Sequence, residues 1–150
     1  MTLEEAVVKY GTIIDGHWAN AANFSSILNI PPEIAENWIN SVSSAPTLKI
    51  YCNKDIQEAL LKALQNIRDR GLLAELKTFD GCSCVRDIRG EPGKPSAHSY
   101  GLAVDINAAT NQLGTRGDMV PQIIECFTQC GFVWGGNFTR SDPMHFSWGW

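Results

Sequence analysis

The sequence is poor in histidine: His17, His98 and His145 are the three it holds in 150 residues. Any site built on imidazole must draw on them. The chain also lacks the roughly 18–20 consecutive apolar residues that a membrane-spanning helix requires, which excludes such a segment. Its opening stretch, MTLEEAVVKYG, has neither a basic start nor a continuous apolar run, so no secretory signal is expected and synthesis in the cytoplasm is. Basic clusters are missing too. Lys and Arg are scattered and the net charge is −4, which argues against a nucleic-acid partner held through its phosphates. Five cysteines, an odd number, fit a reduced compartment better than a disulfide framework. There is no internal repeat and no low-complexity linker.

What is present describes a globular chain, with 44% hydrophobic and 19% charged residues. Its length suits one domain. LEEAVVKY reads as a helix, with Thr2 as N-cap, Glu5 as its capping-box partner and Gly11 as its end. After Pro31-Pro32 a short helix is expected over 32–42, placing Ile34, Trp38 and Val42 on one face. LKIYC (48–52) reads as a strand.

Asn53 then caps a long helix ending at Gly71, whose Ile56, Ala59, Leu60, Ala63, Leu64 and Ile67 form one buried stripe. ELKTF (75–79) and CSCVRDI (82–88) are further strand candidates, and RGEPGKPS (89–96) a loop. A helix over about 119–129, closed by Gly131, leads to FVWGG, a strand or bend. MHFSW is a final strand by alternation. The fold class is α+β: one domain with a central antiparallel sheet flanked by helices. Residues 1–47 are expected as a helical extension packed on a core of 48–150.

Two segments carry candidate chemistry. In SAHSYGLAVDIN, His98 precedes Asp105 by seven residues, and the small or apolar neighbours place Asp105 at the end of a buried strand. A buried carboxylate needs a cation, donor hydrogens or a metal. In DPMHFSW, Asp142 precedes His145 by three, and Pro143 keeps the backbone between them out of a regular helix. Alternation sends His145 to the side opposite Met144 and Phe146. Taken alone, each segment also reads as an ordinary loop or strand-edge histidine with a hydrogen-bonded aspartate.

Taken together they offer two imidazoles and a carboxylate, three protein ligands of the kind a catalytic zinc uses. Asp142 would be the additional carboxylate that hydrolysis needs as general base. The ligands' wide separation excludes a single-helix HExxH site.

The pattern Ser96-x-His98-x-x-Gly101-x-Ala103-x-Asp105, followed by Asp142-x-x-His145, resembles the signature of the LAS-type zinc peptidases. The nearest branch is the D-alanyl-D-alanine carboxypeptidase and L-alanyl-D-glutamate endopeptidase family, which includes many phage endolysins and shares its fold with the hedgehog signalling domain. The flanking VRDIRG, GFVWGG and DPMHF are similar to one phage-rich branch. The resemblance spans roughly residues 48–150.

It implies that His98, Asp105 and His145 bind Zn2+ and that Asp142 is the catalytic base. It implies that Arg86 binds substrate and steadies the oxyanion, with Arg89 as the competing choice, and that Ser96 supports the site by hydrogen bonding. The implied function is hydrolysis of peptidoglycan stem peptides at the bacterial cell wall by a monomeric phage lytic enzyme, without nucleic-acid or membrane partners. The alternative is a non-catalytic zinc-containing module of the same fold.

Three features lie outside this constellation. His17 has no partner motif. The spacing of Cys82-x-Cys84 and Cys126-x-x-x-Cys130 is not that of a zinc finger, so these thiols are expected to have no catalytic role. Trp134, Trp148 and Trp150 suit either a binding groove or the core.

Overall fold

Thr2 opens the first helix as its capping box predicts. In the computed structural model, which describes residues 1–14, 17–18, 21–36 and 48–149, the Thr2 hydroxyl accepts from Glu5 N–H while Glu5 accepts from Thr2 N–H. The helix spans Leu3–Tyr10 (α1) and stops at Gly11, whose φ of 97° suits glycine. Strands Ile13–Ile14 (β1) and His17–Trp18 (β2) pair with each other. A helical turn over Ala21–Phe24 leads into Ser25–Ile30 (β3), which pairs antiparallel with Leu48–Asn53 (β4). The segment before residue 48, expected to be helical, therefore also supplies a strand. Residues 32–36 are helical, with Ile34 buried; Trp38 and Val42 lie outside the described residues.

Asn53 caps the long helix Lys54–Asp69 (α2), accepting from Asp55 N–H at 2.9 Å. Ile56, Leu60, Ala63, Leu64 and Ile67 of its stripe are buried. Each fully buried leucine or isoleucine contributes about 1.5–3 kcal/mol to stability. The helix packs against Pro121–Thr128 (α3), tied at the rim by an Arg70–Glu125 ion pair of 2.9 Å. No described helix is long and apolar enough to cross a membrane.

The central sheet is four-stranded and antiparallel. It comprises Phe79–Gly81 (β5), Ala103–Ile106 (β8), Phe132–Trp134 (β9) and His145–Trp148 (β10), in the order β5-β8-β10-β9. Helix α3 lies behind it: Phe127 stacks on Phe146 of β10 at 4.3 Å between ring centroids and meets Phe132 of β9 edge-on at 5.5 Å. Since Phe146 points into this core, strand alternation turns its neighbour His145 to the other face.

Three expectations are corrected by hydrogen bonding. ELKTF is not a strand before Phe79, because Lys77 and Thr78 give their N–H groups to the Asn107 side chain, at 2.8 and 3.1 Å. In CSCVRDI only Asp87–Ile88 (β6) is strand, since Cys84 N–H donates to His98 O and Arg86 N–H to Ser99 Oγ, both at 3.0 Å. RGEPGKPS is not a plain loop. Its Glu91–Pro95 (β7) pairs with β6 in a small hairpin, and Gly93 N–H is held by Asp87 Oδ2 at 2.9 Å.

Candidate active site

The β8–β10 register brings most of the site together. His145 and Asp105 are direct cross-strand partners, a placement that brings two side chains of one face within reach of each other. His98 enters from the same direction. It sits in a 3-10 turn, Ala97–Tyr100, whose N-cap Ser96 accepts from His98 N–H at 3.3 Å. Gly101 ends the turn at φ 63°, and a Cβ there would lie 2.8 Å from the Asn53 backbone nitrogen. Glycine thus fits both the conformation and the space. The seven-residue spacing of His98 and Asp105 is one tight turn plus the start of a strand.

The three side chains converge on one point. His98 Nε2 lies 3.1 Å from Asp105 Oδ1 and 3.1 Å from His145 Nδ1, and His145 Nδ1 lies 3.2 Å from Asp105 Oδ1. His98 Nδ1 faces the Cys82 carbonyl oxygen at 2.7 Å. A carbonyl only accepts, so Nδ1 carries the proton and Nε2 presents a lone pair to the cluster. A tetrahedral zinc with bonds of about 2.0–2.1 Å has ligand–ligand edges of about 3.3 Å. The observed triangle and its N₂O donor set fit that ion.

Both histidines are buried, and Asp105 nearly so. Burial alone would raise the Asp105 carboxyl pKa, but the adjoining imidazoles of His145 and His98 outweigh it and hold the group well below the usual carboxylate range.

Asp142 lies beside this cluster on a pinned loop. Its N–H donates to Gly135 O at 2.9 Å, its carbonyl accepts from His145 N–H at 3.0 Å, and Trp134 Nε1 donates to Pro143 O at 2.9 Å. A Cβ on Gly135 would lie 3.0 Å from His145 Cβ and would overlap the Asp142 carbonyl. Asp142 Oδ1 is buried without a hydrogen-bond partner among the described residues. Burial pushes its carboxyl pKa up, an effect partly offset by His145 and reinforced by Asp105.

Asp142, Asp105, His145 and Arg86 share the lining of a cleft of about 460 Å³. Arg86 is half-buried, and its backbone is clamped from both sides by Ser99, whose Oγ accepts from Arg86 N–H at 3.0 Å and donates to Arg86 O at 2.7 Å. No described carboxylate forms an ion pair with it. Arg89 lines the same cleft from the hairpin.

Met144 also lines this cleft, against the expectation that it would face away from His145. The strand begins only at His145, so alternation does not reach back to Met144. Sequence reasoning missed Arg140 and Phe138, which complete the wall; the Phe138 ring centre lies 5.9 Å from that of His145. Neither belongs to a motif that would have marked it. The remaining candidates fall elsewhere. His17 pairs with Ile14 in a separate ribbon, and Trp134 and Trp148 pack against the core. Trp150 lies outside the described residues. All five cysteines are free.

No curated protein and no solved structure matches the chain. A family model described as D-alanyl-D-alanine carboxypeptidase matches residues 89–148. That span holds Ser96, His98, Asp105, Asp142 and His145, while Arg86 falls just before it. It is in this segment, which carries the convergent His-Asp-His group, that the chain is similar to the D-alanyl-D-alanine carboxypeptidase family.

Proposed function

We propose that the protein hydrolyses peptide bonds in the stem peptides of bacterial peptidoglycan, with zinc held by His98 Nε2, Asp105 Oδ1 and His145 Nδ1. The observation that carries this reading is the triangle of donor atoms, 3.1–3.2 Å on each side, set in the wall of a cleft beside a carboxylate that burial makes more basic. When bound, the metal supplies Lewis acidity and brings the pKa of a water towards about 7.

The chain's own residues do the rest. Asp142 accepts the proton of the attacking water and delivers it to the departing amine, a role suited to a carboxylate that lines the cleft with one oxygen free of other partners. Arg86 offsets the negative charge that develops on the carbonyl oxygen. The Cys82 carbonyl and the Ser96 cap hold His98 in the tautomer and orientation the metal requires. Action as a monomer is part of this proposal. The similarity of VRDIRG, GFVWGG and DPMHF to a phage-rich branch supports a lytic role at the cell wall.

Purified peptidoglycan incubated with the protein should release new amino groups, and chelator should abolish the release. Fragment masses then distinguish an L-Ala-D-Glu endopeptidase from a carboxypeptidase that removes terminal D-Ala. A protein with one zinc per chain that cleaves neither murein nor stem peptide would instead be a non-catalytic zinc-containing module.

A further inference from the structure

Three arginines line one cleft of a chain whose net charge is −4: Arg86, Arg89 and Arg140. None of the three forms an ion pair among the described residues. Of the acidic residues lining the cleft with them, Asp142 forms no ion pair with any of the three, and the other two are engaged elsewhere. Glu91 is bound by Lys94 at 2.7 Å, and Asp105 faces His98 and His145. A concentration of unpaired guanidiniums beside a catalytic cleft calls for an anion on the ligand.

Arg140 is the best positioned of the three to specify it. Its Nη1 donates to the carbonyl oxygen of Arg89, joining the loop after β9 to the tip of the β6–β7 hairpin. Gly90 makes room for this contact, since a Cβ there would stand 3.2 Å from Arg140 Nη1. One edge of the guanidinium is therefore held by the protein, and the other N–H donors remain for a planar acceptor. Arg86 and Arg89 have no side-chain contact of this kind across the cleft among those described.

We propose that Arg140 is a specificity-determining residue that binds a free carboxylate of the peptide substrate. This rests on the peptidase reading and deepens it, because it makes the enzyme selective for stem peptides whose carboxylate is free over those in which it is amidated. A stem peptide offers two such groups, the free carboxylate of its glutamate and the C-terminal carboxylate. The chemistry Arg140 recognises is the same in both.

The test is calorimetric binding of synthetic stem peptides to zinc-loaded Asp142→Asn protein, with both carboxylates free, each amidated in turn, or both amidated. Amidation of one carboxylate should weaken binding about tenfold or more, the scale of a lost charge-assisted hydrogen bond. The carboxylate whose amidation matters identifies the source.

Adding Arg140→Gln should erase the difference between acid and amide, while Arg140→Lys should keep part of it. This ratio is insensitive to a general loosening of the loop. Equal binding of acid and amide, no binding of the free acid, or discrimination that survives Arg140→Gln would overturn the proposal. Cleavage is followed in parallel with protein that retains Asp142. Discrimination in binding without cleavage would sink the peptidase reading alone, and cleavage without discrimination would sink this one alone.

Discussion

The Nδ1 nitrogen of His98 is bonded to the carbonyl oxygen of Cys82 at 2.7 Å, so a cysteine steadies the candidate metal site through its backbone. Its thiol points to a different partner, the Gly101 carbonyl at 3.7 Å. The two roles are separable by substitution. Cys82→Ala keeps the carbonyl and should retain about one zinc per chain, with a stability loss on the order of 1 kcal/mol from the small void it leaves. His98→Ala should lose the metal. Zinc content by elemental analysis checks both, and loss of zinc from Cys82→Ala would mean that the thiol, not the carbonyl, matters. In wild type, zinc at about 100 times its Kd should stabilise the fold by about 2.7 kcal/mol, and chelator should remove that increment.

Gly135 abuts both ends of the loop from Asp142 to His145. A methyl group there would stand 3.0 Å from His145 Cβ and press on the Asp142 carbonyl. Gly135→Ala should cost about 1–3 kcal/mol, the usual range for overpacking a tight site. For a chain of this size that corresponds to roughly 2–4 °C in Tm per kcal/mol. Activity should fall by more than stability explains, because displacement of about 1 Å in a catalytic group can cost on the order of 100-fold. A Gly135→Ala protein with wild-type kcat would show that the loop tolerates the shift.

Local signals in the sequence were strongest where one residue type satisfies one physical need. Thr2 with Glu5, Asn53 before an amphipathic stripe, and the alternation around Phe146 each specified their elements correctly. The convergence of His98, Asp105 and His145, with Asp142 in the same cleft, was legible because few residue types supply such chemistry and the sequence holds three histidines. Failures came where a distant side chain took over backbone hydrogen bonds. Asn107 dissolves the strand expected at 75–79 by binding Lys77 and Thr78 from about 30 positions away. The 96–99 turn does the same to 82–86. Arg140 escaped notice because its position in the cleft depends on the hairpin it reaches, and nothing local announces that contact.

Asn53 links the long helix to the turn that carries His98. Its Oδ1 caps α2 at Asp55 N–H, its Nδ2 donates to the buried Tyr100 carbonyl at 3.1 Å, and its own N–H donates to Gly101 O at 3.0 Å. Asn53→Ala removes the first two and keeps the third. Loss of a cap costs about 1 kcal/mol, and a buried carbonyl left unpaired about 1–3 kcal/mol more. Denaturant unfolding should therefore show a loss of about 2–4 kcal/mol, whereas Asn53→Asp should recover the cap portion only. A loss under about 1 kcal/mol in Asn53→Ala would show that water replaces both bonds.

Asp142 provides a pH test whose sign is fixed by its environment. Burial raises its folded-state pKa above the ordinary carboxylate value of about 3.9. The folded protein therefore holds this proton more tightly than the unfolded chain does. The penalty for ionising Asp142 is absent below the unfolded pKa and complete above the folded one. In metal-free protein, Asp142→Asn should then raise Tm at pH 7, and the two proteins should converge as pH falls towards about 3.5. With zinc bound, the same substitution should retain the metal and lower kcat by about 100-fold or more, since an amide cannot take the proton. Wild-type kcat/KM should fall with decreasing pH as the Asp142 carboxylate is protonated. An Asp142→Asn enzyme that keeps both its zinc and its activity would remove Asp142 from the mechanism.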